Sequence, residues 1–194
     1  MRRISGAGDV QPAVQALQAG GLICYPTETF YALGADPWNE KACSRLRKLK
    51  QRPEEKDFPL IAANVDMVAQ FCDTSDSRFS VLAQGFWPGP LTLVLRARNG
   101  PGGFAVRVSP HPVAARLSLQ SGGPLISTSA NLSGDPPVTD PGMLSPRLRD
   151  GIDVLVDGGI CPGGSPSTIV SLLTRPASIL REGAVPSAKI LAVL

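Results

Sequence analysis

Apolar residues occur in short blocks separated by glycine, proline and polar clusters, and the spacing inside the blocks switches between strand and helix periods. Gly21-Leu22-Ile23-Cys24-Tyr25 is a continuous run that Pro26 ends, which predicts a short buried strand. Thr27 to Gly34 then reads as a loop or short helix with hydroxyls at the strand exit. Asn39 is placed to cap a helix of about eleven residues in which Ala42, Leu46 and Leu49 recur at helical spacing. Lys41, Arg45 and Lys48 fall on its other side. Leu60 to Ala63 predicts a strand, and Val65 to Phe71 and Ser77 to Phe86 predict helices, the second ending at Trp87-Pro88-Gly89-Pro90.

Leu91 to Leu95 and Phe104 to Val108 read as paired strands joined by Asn99-Gly100-Pro101-Gly102-Gly103, whose residues favour tight turns. His111 to Leu119 reads as a helix, Pro124 to Ser127 as a strand, Pro141 to Arg149 as a helix and Ile152 to Asp157 as a strand. A glycine-rich loop, Gly158 to Pro166, feeds a strand at Ser167 to Leu172, and Ile179-Leu180-Arg181 suits an edge strand. Helices and strands mix without strict alternation. The expectation is an α/β fold, a single domain over 1–194 on one twisted mixed β-sheet with flanking helices and no Rossmann order.

Composition narrows the class. The chain has 194 residues, 43% hydrophobic and 18% charged, a globular balance with enough length for one core. No apolar run approaches the roughly 20 residues of a membrane helix, and the two N-terminal arginines precede no apolar stretch, so a cytoplasmic protein without membrane contact is expected. Cys24, Cys43, Cys72 and Cys161 form no C-x-x-C pair, and His111 is the one histidine, which predicts reduced thiols and no protein-held metal. The net charge of +3 conceals a basic run from Lys41 to Lys56, opposed within it only by Glu54 and Glu55. Such a run suits a solvated helix face, an anion-binding mouth, or a surface for tRNA or double-stranded RNA.

Candidate chemistry gathers at predicted strand ends: Thr27 and Thr29, Arg107, Ser127 with Ser129 and Asn131, and Ser167 with Thr168. Ligands of open α/β sheets favour the crevices outside strand ends. Lys50 and Arg52 could neutralise phosphate oxygens, Arg52 as a fork and Lys50 as a point charge, or simply complement a helix C-terminus. The glycines fit neither common phosphate-loop pattern. His111, between two prolines, reads as structural, and Trp38 and Trp87 as packing residues.

The motifs Tyr25 to Gly34 (YPTETFYALG), Lys50 to Pro53 (KQRP), Trp87 to Thr92 (WPGPLT), Ala105 to Val108 (AVRV), Ser127 to Gly134 (STSANLSG), Pro166 to Val170 (PSTIV) and Leu180 to Gly183 (LREG) resemble the YrdC/TsaC threonylcarbamoyl-AMP synthases. The likeness is colinear from Gly21 to Gly183, with a motif-bearing core of about 8–186 in the short form of the family. It implies a YrdC-like fold and a nucleotidyltransferase that joins L-threonine, bicarbonate and ATP into threonylcarbamoyl-AMP and pyrophosphate. Downstream transfer proteins would carry the group to tRNA, and Mg²⁺ would be held mainly by ATP phosphates.

By position in the motifs, Lys50 and Arg52 would be catalytic. The resemblance gives ATP contacts to Lys50, Arg52, Lys56, Ser129, Asn131 and Arg181, and threonine contacts to Thr29, Arg107, Ser127 and Ser167. Two departures fall in the nucleotide half. Asp57-Phe58-Pro59-Leu60 stands where relatives have Asn-Pro-Leu, which leaves Lys56 as the substitute contact, and Pro137 stands where serine is common. Two other functions compete: a carbamoyl-adenylate-forming domain of the hydrogenase-maturation type, and a non-catalytic RNA-binding module using the Lys41 to Lys56 run.

Overall fold

The computed structural model describes residues 1–194. Eleven strands, named by the ranges β1 Arg2–Ser5, β2 Ile23–Pro26, β3 Tyr31–Gly34, β4 Leu60–Ala62, β5 Leu91–Arg96, β6 Gly103–Val108, β7 Leu125–Ile126, β8 Thr128–Ser129, β9 Val154–Asp157, β10 Thr168–Ser171 and β11 Ser178–Arg181, form two sheets. The helices are α1 Gln11–Gln18, α2 Glu40–Lys50, α3 Val65–Phe71, α4 Ser77–Phe86, α5 Pro112–Ser121, α6 Pro146–Gly151 and α7 Ser187–Leu191, with a 3₁₀ turn at Pro141–Met143. The mixed α/β class holds. The single sheet does not: the first sheet runs β1-β9-β2-β3-β8 and the second β11-β10-β5-β6-β4-β7.

Side-chain alternation along the strands splits the core into two apolar clusters, each fed by both sheets. At β2, Leu22 just before the strand and Cys24 within it belong to one apolar cluster, while Ile23 and Tyr25 belong to another. The same split puts Leu60 and Ala62 of β4, and Leu155 of β9, in the first cluster, with Ile61, Val154 and Val156 in the second. Strands buried on both faces carry unbroken apolar runs, which is why β2 and β9 read as solid blocks. The larger cluster joins both sheets with α3 and α4; the smaller packs α1 and α5 against β2 and β9.

Local signals set most helix ends. Asn39 Oδ1 accepts from Ala42 N at 3.0 Å, Asn64 caps α3 and Asp76 caps α4 in the same way. Gln51 ends α2 in the left-handed region at φ 54°, which turns the chain sharply into the Arg52 loop. His111 caps α5, its Nδ1 accepting from Val113 N at 3.2 Å, so its role is structural as expected. The four cysteines are free. Trp87 is buried, whereas Trp38 is half exposed and meets Phe71 and Phe104 edge to face.

Two strand assignments change. Residues 27–34 are neither loop nor helix throughout: Tyr31–Gly34 is the return strand of a hairpin, with Ile23 opposite Gly34 and Pro26 opposite Tyr31. The hydroxyl of Thr27 closes the turn, donating to Phe30 O at 2.7 Å and accepting from the amides of Thr29 and Phe30. The strand expected at 124–127 is two short ones. β7 pairs with β4 in the second sheet, and one residue later β8 pairs with β3 in the first. Ser127 therefore sits where the chain crosses from one sheet to the other. No helix is long and apolar enough to cross a membrane.

Candidate active site

The crossing at Ser127 opens a cavity of about 300 Å³ at the seam between the sheets. The β2–β3 turn contributes Thr27, Thr29 and Tyr31; the crossing contributes Ser127, Thr128 and Ser129; β5 and β6 contribute Thr92 and Arg107. Ser167 and Arg181 close the side formed by β10 and β11, and Arg52 closes the side formed by the loop after α2. Seven of the ten residues expected from the sequence thus face one space: Thr29, Arg52, Arg107, Ser127, Ser129, Ser167 and Arg181. Among apolar residues such as Phe30 and Ile169, the polar wall is mostly hydroxyls and guanidinium groups, the lining expected around an oriented, anionic ligand.

Lys50 lies behind this wall. It is 3% exposed, and its Nζ donates to Asn131 O at 2.8 Å and to Ser129 O. Ser133 Oγ donates to Lys50 O at 3.0 Å, tying the same loop to the end of α2. Burial, aided by the neighbouring Arg52, pushes the Lys50 ammonium down to about 8. Asn131 is spent locally: its Oδ1 accepts from Ser129 Oγ, and its Nδ2 donates to Leu132 O and Asp135 O. Lys56 is exposed and off the wall; what it contributes is its carbonyl, which accepts from Arg52 Nε at 2.9 Å. Arg52 Nη2 also donates to Asp57 O at 2.6 Å.

Phe58, the departure noted above, has a visible part in this arrangement. Arg52 and Arg47 stack on it, with guanidinium carbons 5.0 Å and 5.1 Å from the ring centre. Such cation–π contacts fix the plane of a guanidinium while leaving its remaining N–H groups free. Pro137, the other departure, is exposed.

The far end of the cavity is closed by a buried ion pair that the sequence reading missed. Arg107 Nη1 meets Glu28 Oε1, with side chains 11% and 14% exposed, and Ser109 Oγ donates to Glu28 Oε2. Burial pulls the Arg107 guanidinium down to about 10, which leaves it charged at neutral pH. Thr92 was also overlooked; its hydroxyl lies 2.8 Å from Ser167 Oγ, while Arg181 Nη2 donates to Ser167 O at 2.8 Å. Glu28 was legible only as one acid in a polar turn, and Thr92 only as a polar residue inside an apolar strand. The glycine-rich loop is pinned beside the cavity: Tyr31 Oη accepts from Gly158 N and donates to Gly159 O, and Gly163 N donates to Thr29 O.

No three histidine, cysteine or acidic side chains gather into a metal-holding cluster, and Asp57 is the one acidic residue on the cavity wall.

The chain is similar to proteins of known kind. Residues 15–183 match the Sua5/YciO/YrdC family model, described as telomere recombination. A threonylcarbamoyl-AMP synthase of Xanthomonas campestris pv. campestris (strain B100) is 39% identical over 186 residues, covering 90% of this chain and 97% of its own. The structure of P. abyssi Sua5 complexed with L-threonine aligns over 100% of the chain with a TM-score of 0.90 and 31% identity. The chain spans 59% of that longer protein. E. coli YciO aligns over 91% of this chain and 90% of its own, with a TM-score of 0.82 and 26% identity. Matches of this extent, to a fold whose seam carries the motif residues just described, establish that the chain belongs to the Sua5/YciO/YrdC family.

Proposed function

We propose that this protein is an L-threonylcarbamoyl-AMP synthase. The observation that carries the reading is the convergence of Arg52, Arg107 and Arg181 with a ring of hydroxyls around one cavity. The name carried by a relative matched over 97% of its length supports it. The site binds L-threonine at its Arg107 end, where Thr29, Ser127 and Ser167 offer hydroxyls, and the nucleotide between Arg52 and Arg181.

The reaction needs alignment and charge neutralisation more than an activated side chain. The threonine amine, as the free base, takes up CO₂ equivalent from bicarbonate with loss of water and gives a carbamate. A carbamate oxygen attacks the α-phosphorus of ATP, the bond from that phosphorus to the bridging oxygen of the β-phosphate breaks, and pyrophosphate leaves with the electron pair. Arg52 and Arg181 meet the charge that builds on the departing phosphates. Lys50 acts one layer back: it holds the Ser129–Asn131 turn by two carbonyls and so presents Ser129 to the nucleotide. That role differs from the direct phosphate contact implied by resemblance alone. A magnesium-class cation riding on the phosphates would neutralise triphosphate charge, and Asp57 is the wall residue placed to take part through water. The product is consumed by proteins that transfer the threonylcarbamoyl group to tRNA.

Pyrophosphate release from ATP, Mg²⁺ and bicarbonate, with L-threonine or with L-serine as control, tests the reading. Threonine-dependent release lost in Arg52→Ala is the expected result. Release that ignores the amino acid would sink it. The match to threonylcarbamoyl-AMP synthases favours this reading over the hydrogenase-maturation and RNA-binding alternatives.

A further inference from the structure

Glu28 is a carboxylate set at the end of a cavity that must receive an anion. A negative charge there opposes binding unless it is committed elsewhere. Both of its oxygens are committed: Oε1 to Arg107 Nη1 and Oε2 to the hydroxyl of Ser109. Ser109 Oγ in turn accepts from His111 N at 3.2 Å, so the carboxylate is anchored to the start of α5. Glu28 sits in the β2–β3 turn of the first sheet, and Arg107 and Ser109 lie on and just after β6 of the second. The group therefore clamps the two sheets together where the cavity ends. Glu28 itself is not on the wall, whereas Arg107 is.

The direction of the grip matters. Glu28 engages Nη1, and Arg107 itself lines the cavity. A guanidinium is a rigid planar fork, so fixing one edge aims the other. We propose that Glu28 is a positioning residue: held by Ser109, it turns the free edge of Arg107 toward the cavity and so sets the affinity for the carboxylate of the amino-acid substrate without touching it. The inference rests on the proposed synthase reading, and it assigns that reading's amino-acid affinity to a residue outside the wall.

Glu28→Gln keeps the size of the side chain and removes its charge. Measured beside wild type by calorimetric L-threonine binding and by pyrophosphate release, it should raise the threonine Kd and KM about 10-fold or more, leaving the ATP KM within about 2-fold. In an Arg107→Gln background the same change should add nothing, because a residue that acts through Arg107 has nothing left to act on. Equal rises in both KM values, an unchanged threonine KM, or a full additional loss in the Arg107→Gln background would each overturn the inference. Should Glu28→Gln fail to fold, Ser109→Ala carries the test: it frees one oxygen without removing charge. A rise of about 3-fold confined to threonine supports the inference, and no change refutes it. Wild-type protein that neither binds nor turns over threonine would sink the synthase reading itself, an outcome distinct from any difference between wild type and variants.

Discussion

The chain carries two groups of cations that look alike in sequence and differ in every physical respect. Lys41, Arg45 and Lys48 lie on the exposed face of α2, where Arg45 meets Asp153 with both side chains more than two-fifths exposed. Lys50 is buried and held by the carbonyls of Ser129 and Asn131, and Arg107, with its side chain 11% exposed, is paired with Glu28. Exposed pairs are screened and contribute little. A buried charge stripped of its partner is strongly destabilising. The exposed face of α2 is thus the energetically minor set, and Lys50 and Arg107 the major one.

The sharpest way to break this contrast is Arg107→Ala. It strands the Glu28 carboxylate in the interior, so a loss of about 3–5 kcal/mol in unfolding free energy is expected from denaturant titration. Threonine KM should rise about 100-fold, and the ATP KM far less. A comparable rise in both would separate Arg107 from the amino acid.

Lys50→Met comes next, and its effect depends on pH. The native ammonium titrates near 8 and the unfolded one near 10.5, so between those values the unfolded state holds the extra proton and the wild type gains stability as pH rises. Below about pH 8 both states are protonated and the cost of burying the charge is fully present. Relative to Lys50→Met, the wild type should therefore gain about 2–3 kcal/mol between pH 8 and 10.5 in chemical denaturation. A flat difference would show that Lys50 keeps its ordinary affinity for protons.

Thr92→Val leaves Ser167 without its hydroxyl partner and should cost about 1 kcal/mol of threonine affinity by calorimetry. Arg45→Ala is the smallest: less than about 1 kcal/mol of stability, vanishing at high salt, with both KM values unchanged. A large kinetic effect there would mean that the exposed face belongs to the site.

What the sequence made legible follows from locality. The helices α2, α3 and α4 announce themselves through Asn39, Asn64 and Asp76, side chains that bond amides two or three residues away. The 27–34 segment misled because the Thr27 turn is local but the pairing that makes Tyr31–Gly34 a strand is not. The second sheet was hidden because β7 and β8 are separated by one residue and diverge through partners about 65 to 95 residues away. In the site, seven motif residues met as anticipated, but Lys50 turned inward. A buried lysine and a surface one share the same letter until the carbonyls of Ser129 and Asn131 are placed. Glu28 needed the same long-range information: its value lies in a pairing across 79 residues of chain, between two sheets.

One topological fact bears on how the protein is made. β1, synthesised before the other ten strands, lies parallel to β9 with Arg2 opposite Val154 and Ser5 opposite Asp157, and β2 waits for the same strand. The first sheet cannot assemble during most of synthesis, while β5 and β6 of the second can pair as soon as their turn emerges. The nascent chain therefore exposes the apolar β2–β3 hairpin for longer than any other strand pair, and it is there that a chaperone has the most to shield.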